Sequence, residues 1–166
     1  MEMLYYLNVL MDLVFFGYVF FIITRYGVLE SISSSYYKLP KKYNMLFTLF
    51  CWGFALPTAI IGFILSEGSP YQFSIFIACS GIMFVGSAPD YKFGYLDNRV
   101  HTISAIIGVL FSQLFIFLVF TSYWYIGLIA CLLISIILLL KVNNRIFWIE
   151  IIAYLSTSVL YKLMIL

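Results

Sequence analysis

The sequence predicts an all-α fold: a polytopic integral membrane bundle of about six helices, forming one domain over residues 1–166. Three observations carry that prediction. Of the 166 residues, 64% are hydrophobic and only 10% charged, with mean hydropathy +1.08; a soluble domain is nearer half apolar and a quarter charged. The apolar residues gather in six long runs, and a helical span needs about 20 such residues. Runs such as IGLIACLLISIILLL lack the period-two alternation of a membrane β-barrel. Backbone groups in hydrocarbon must bond internally, so each run is predicted to be a helix. The composition also excludes a disordered chain and a nucleic-acid binder, and the spans leave too few residues for a soluble domain.

The first run covers about residues 4–24 and ends at Arg25. It lacks the basic n-region and small-residue cleavage site of a signal peptide, so it reads as a retained span. The second, about 45–65, contains Pro57, and the third, about 71–88, is closed by Pro89. The fourth spans about 102–121, the fifth about 123–140 and the sixth about 146–166. Two connections are long, residues 25–44 and 89–101. The link near Ser122 is so short that the fourth and fifth helices must form an antiparallel hairpin. No internal repeat or low-complexity tract appears. Cys51, Cys79 and Cys131 lie inside apolar runs without CxxC spacing and read as small buried hydrophobes.

Position makes the charges informative. Arg25, Lys38, Lys41 and Lys42 fall in the first loop, Lys92 and Arg99 in the third, and Lys141 and Arg145 in the fifth. Only Lys162 falls on the other side, so eight of nine basic residues mark one face. The positive-inside rule places the odd-numbered loops in the cytoplasm and both termini outside. Tyr5, Tyr71, Tyr123, Trp124 and Trp148 near the span ends suit interfacial belts.

Ionisable groups within spans are expensive and mark candidate sites. Asp12 lies about 12 Å deep in the first helix, with Asn8 one turn before it. Lys162, about 6 Å deep in the sixth, reaches Asp12 if those helices are neighbours, as an intramembrane pair; otherwise its stem snorkels outward. Glu150, about 6 Å from the cytoplasmic edge, shares a face with Phe147, Tyr154, Thr157 and Ser158. It either bonds a neighbouring helix or lines a cytoplasm-facing pocket. His101, the single histidine, follows Asp97 by one turn, and a carboxylate there would orient its ring and raise its pKa. Ser104, Gly108 and Ser112 continue from it at four-residue spacing, a small-residue face that lets another helix approach closely. That face is one candidate contact for a homo-oligomer.

The candidate polar site is therefore Asp90, Asp97, His101 and Glu150 at the cytoplasmic side. Those four include enough ligands for a metal, but one histidine is few for a zinc hydrolase, and no metal or cofactor is expected. Ser31, Ser33, Ser34 and Ser35 stand in a cytoplasmic loop without a GxSxG elbow and read as a loop or helix cap.

The stretches YGVLESISSSYYKLPKKYNMLFTLFCWGFALP, FIACSGIMFVGSAPDYK, VHTISAIIGVLFSQL and IFWIEIIAYLS resemble an uncharacterised family of small six-helix membrane proteins of Bacteroidetes and their phages, over about residues 25–156. That resemblance implies the topology, a bacterial or phage origin and a place in the bacterial cytoplasmic membrane. A fainter resemblance runs to the seven-helix ceramidase and progestin-receptor-like hydrolase superfamily, where Ser, Asp and His act near the cytoplasmic face. Ser33, Asp90 or Asp97, and His101 would be the counterparts, but the other two histidines and the seventh helix are absent, so no catalytic role is carried over. The expected function is a non-enzymatic channel, transporter or small-ligand or lipid-binding protein with a cytoplasm-facing polar site. The alternatives are a lipid-directed membrane hydrolase and an interaction scaffold whose basic first loop docks a partner or anionic lipid. The lipid bilayer is the expected partner, and no nucleic acid is expected.

Overall fold

A computed structural model describes residues 2–165. Six α-helices follow in order: α1 Glu2–Tyr26, α2 Met45–Leu65, α3 Phe73–Ser87, α4 Tyr95–Val119, α5 Trp124–Leu139 and α6 Arg145–Ile165. Short 3-10 turns at Ser33–Tyr37, Lys41–Tyr43 and Thr121–Tyr123 occupy the connections. Among the described residues, five helices are long and apolar enough to cross a membrane. The chain is a multi-pass membrane helical protein. α3, with 15 residues, is about 22 Å long against a hydrocarbon core of about 30 Å.

Helix boundaries follow local chemistry. α1 ends where Gly27 takes a left-handed φ of +76° and its N–H bonds the Ile23 carbonyl at 2.9 Å, a conformation that disfavours other residues. The fourth helix starts seven residues earlier than the sequence predicts, at Tyr95 rather than about 102. Extended backbone at Gly94 opens it, and Asp97 in the first turn is favoured by the helix dipole. Asp97, Arg99 and His101 are thus helical, not loop, residues. α5 and α6 are joined by a tight turn with left-handed Lys141 and Asn144.

α6 is the central helix and touches α1, α2, α4 and α5; α3 packs between α2 and α4. The core is aromatic. Phe15 of α1 stacks on Tyr154 of α6 with centroids 3.6 Å apart, and Tyr18 on Phe50 of α2 at 4.2 Å. Side-chain hydrogen bonds join the helices: Gln113 Nε2 to Ser156 Oγ at 2.9 Å, Thr48 Oγ1 to the Gly86 carbonyl at 2.8 Å, and the Tyr161 hydroxyl to the Thr58 carbonyl at 3.0 Å. Such bonds, with close small-residue packing, hold helices together where lipid removes any hydrophobic drive between them. Outward faces carry large apolar residues such as Leu13, Phe20, Leu49, Leu110, Leu132 and Leu163, as a hydrocarbon solvent permits.

The α3–α4 contact is the closest. A Cβ on Gly81 would lie 2.7 Å from the Ser104 carbonyl oxygen and 3.0 Å from the Gly108 nitrogen. Ser104, Gly108 and Ser112 are accordingly buried. This corrects the reading of that face as a contact for a second subunit, because α3 of the same chain covers it.

Candidate functional site

The bundle interior holds a cavity of about 110 Å³ between α1, α2, α3, α4 and α6. A water-sized group needs roughly 10–15 Å³ on this scale, so there is room for about eight. Its walls are mostly apolar, including Phe15, Phe50, Phe54, Ile75, Ala78 and Cys79. Along α2 the lining runs from Phe47 to Thr58, about 16 Å, or half the hydrocarbon thickness. Glu150 is the one ionisable carboxyl group among the lining residues.

Ile32 and Ser33 of the segment 28–35 line one end of this cavity, where the segment meets the start of α6, far away in sequence. Val28, Glu30 and Ile32 meet the start of α6 with every second backbone unit, while α6 answers at every third residue. The Val28 carbonyl accepts from Asn144 Nδ2 at 3.0 Å, the Glu30 carbonyl from the Phe147 N–H at 3.3 Å, and the Ile32 N–H donates to Glu150 Oε2 at 2.6 Å. The Phe147 N–H belongs to the first turn of α6, which lacks intrahelical partners, so the loop also caps the helix. Around Ile32 the serines satisfy the turn: Ser34 N–H donates to Ser31 Oγ at 3.1 Å, Ser34 Oγ to the Ser31 carbonyl at 2.7 Å, and Ser35 Oγ pairs with the Tyr18 hydroxyl at 2.7 Å. Ser31, Ser33, Ser34 and Ser35 are all buried. Ile32 and Ser33 line the cavity itself. The sequence reading of these serines as a loop or cap missed this inward placement; the interspersed Leu29, Ile32 and Leu39, all buried, are the signal that was there.

The four candidate polar residues occupy different surroundings. His101 is buried, with Nδ1 3.0 Å from the Ala88 carbonyl oxygen and its ring stacked on Tyr91 at 4.1 Å. Asp97 is exposed and its carboxyl lies against Gly94, so it makes no hydrogen bond to His101 among the described residues. Asp90 is exposed. Glu150 belongs to the cavity, together with Tyr154 and Thr157 of its own helix. Among the described residues, no three His, Cys, Asp or Glu side chains come together as a metal site. Ser33 pairs with Ser31 at 3.0 Å, and among the described residues no hydrogen bond links Ser31, Ser33, Ser34 or Ser35 to His101. Outside the cavity, exposed Lys92 ties the loops together: its N–H donates to the Tyr37 hydroxyl at 2.7 Å, and its Nζ lies 3.6 Å from Glu30.

The intramembrane pair forms a second polar centre. Lys162 Nζ is 2.7 Å from Asp12 Oδ2, while the Tyr154 and Ser158 hydroxyls donate to Asp12 Oδ1 at 2.8 and 2.7 Å. Tyr154 therefore serves both centres, its ring as cavity wall and its hydroxyl as a donor to Asp12.

The Glu150 carboxyl keeps one oxygen on the Ile32 N–H. Its other oxygen makes no hydrogen bond among the described residues. An apolar chamber with one such acceptor suits a molecule with a long apolar body and one polar end. No family model, no curated protein and no solved structure matches this chain.

Proposed function

We propose that this protein is a non-enzymatic membrane binding protein or carrier of the bacterial cytoplasmic membrane. All six helices cross, both termini face outward, and the cavity takes an apolar molecule or single lipid chain from the cytoplasmic side. The polar end of that molecule, a hydroxyl or an amine, donates to Glu150. The observation that carries the reading is the lone Glu150 carboxyl at the end of an apolar cavity half a membrane deep. A carboxyl in such surroundings is expensive unless it is used, and the Ile32 N–H satisfies one oxygen of two. The crowding of basic residues into the odd-numbered loops supports the orientation. The origin rests on the family resemblance of residues 25–156.

Photolabelling of the purified chain with a diazirine-bearing decanol tests the assignment. Label is expected on cavity residues of α2 and α3, such as Phe54 and Cys79, with competition by unlabelled decanol and decylamine but far less by decane. Glu150→Leu should lower labelling about threefold or more, the worth of one hydrogen bond in a membrane. Equal labelling in that variant, or labelling confined to the lipid-facing surface, overturns the proposal.

A further inference from the structure

α4 and α6 pack against each other in one half of the bundle and part in the other. On α4, Thr102, Ile106, Val109, Gln113 and Ile116 recur at three- and four-residue spacing, so they form one edge of the helix. Toward the C-terminal end of α4 that edge is covered. Gln113 is 5% exposed and bonds Ser156 of α6, and Ile116 is 0% exposed. Toward the N-terminal end it is bare: Val109 is half-buried, Ile106 is 54% exposed and Thr102 is exposed. α6 shows the same change. Ser156 and Leu160 are buried, whereas Ile152 and Ile149, one and two turns before Ser156, are only half-buried. α5 does not close the gap, since its buried residues, Ile126, Gly127 and Ala130, all belong to its first half. With the orientation proposed above, an apolar slot opens between α4 and α6 in the cytoplasmic leaflet.

The slot adjoins the cavity. Ala105, Val109 and Glu150 line the cavity and are half-buried, while the lining residues of α2 are all buried. About 110 Å³ spread over about 16 Å of helix is a channel one hydrocarbon chain wide. It is about one leaflet deep with Glu150 toward its cytoplasmic end, so a lipid of that leaflet enters sideways in the orientation it already has. No Lys, Arg or His lines the cavity, and a phosphate beside the Glu150 carboxylate would have no counter-charge. The complementary polar end is a neutral donor.

We propose that the slot is a side entrance from the cytoplasmic leaflet, and that the ligand is a two-chain lipid whose polar end is a neutral hydroxyl, as in a diacylglycerol. One chain fills the cavity, the other lies in the slot against Ile106 and Ile152, and the hydroxyl donates to Glu150. This rests on the binding role proposed for the cavity and adds to it the second chain and the route.

Photolabelling of the full chain in phosphatidylcholine vesicles tests this. The diazirine probes are decanol, didecanoylglycerol labelled at the end of one chain, the methyl ether of that glycerol, and the corresponding phosphatidic acid. Didecanoylglycerol should label Phe54 and Cys79 in the cavity and Ile106 and Ile152 in the slot, since either chain fits either place. Cavity label should fall about threefold or more with the ether, the worth of one membrane hydrogen bond, and at least as far with the phosphatidic acid. Ile106→Trp fills the slot from a lipid-facing position outside the cavity lining. It should cut cavity labelling by didecanoylglycerol about tenfold through overpacking and spare decanol. Cavity label from decanol but not from didecanoylglycerol overturns this proposal and leaves the cavity's binding role standing; cavity label from neither overturns both. Undiminished cavity label from the ether or the phosphatidic acid overturns it, as does an Ile106→Trp variant that treats decanol and didecanoylglycerol alike. The headgroup series needs no variant, so the outcome does not depend on variant folding.

Discussion

Gly81→Ala separates packing from helix propensity, because the two act in opposite directions. Alanine is the better helix former by about 1 kcal/mol. Its methyl, however, would sit 2.7 Å from the Ser104 carbonyl oxygen, 3.0 Å from the Gly108 nitrogen and 3.3 Å from the Gly108 Cα. These are backbone atoms of α4, so no rotamer change relieves them, and α3 must move out by roughly 0.6 Å to reach ordinary contact. A radial gap of that size forfeits a quarter to a half of each contact along the seam, and each contact is worth about 0.1–0.2 kcal/mol. Over roughly 40 atom pairs the loss is about 2 kcal/mol, which exceeds the propensity gain and leaves about 1 kcal/mol of destabilisation. Gly17→Ala is the control. It is mid-helix, with nothing within 4 Å of the new methyl, so it should be neutral or stabilising by up to about 1 kcal/mol. Reversible unfolding in mixed detergent micelles, followed by fluorescence of the three tryptophans, should separate the two variants by about 1–2 kcal/mol. If Gly81→Ala is as stable as Gly17→Ala, α3 and α4 do not pack as described.

Further outcomes follow from the polar contacts and from the distribution of basic residues. Asp12→Ala removes the acceptor of two hydroxyls and the partner of Lys162; at about 0.6 kcal/mol per membrane hydrogen bond the same unfolding assay should show a loss of about 2 kcal/mol. In double-mutant cycles its coupling to half-exposed Lys162 should be no larger than its coupling to Tyr154. Lys92→Ala breaks an exposed ion pair with Glu30, and should change stability by less than about 1 kcal/mol. A C-terminal alkaline phosphatase fusion should be active and a C-terminal green fluorescent fusion dark; the reverse result would overturn the assigned orientation.

Some of this molecule was legible without coordinates. Charge scarcity and six apolar runs named the solvent and the helical class, since lipid leaves backbone groups no partner outside the chain. The Asp12–Lys162 pair followed from the reach of the long lysine stem between their different depths, given only that α1 and α6 are neighbours. The close α4 face at Ser104, Gly108 and Ser112 followed from four-residue spacing. Tertiary structure decided which surface covers that face, and the answer is α3 of the same chain rather than a second copy. It also decided that Glu150 meets the backbone of Ile32, 118 residues away in sequence, while His101 turns to the Ala88 carbonyl and Tyr91 instead of Asp97. The physical reason is that these helices are apolar on every side. Periodicity reveals a buried face only when water wets the opposite one, and here lipid wets it, so the choice of neighbour rests on shape and on a few polar contacts across the chain.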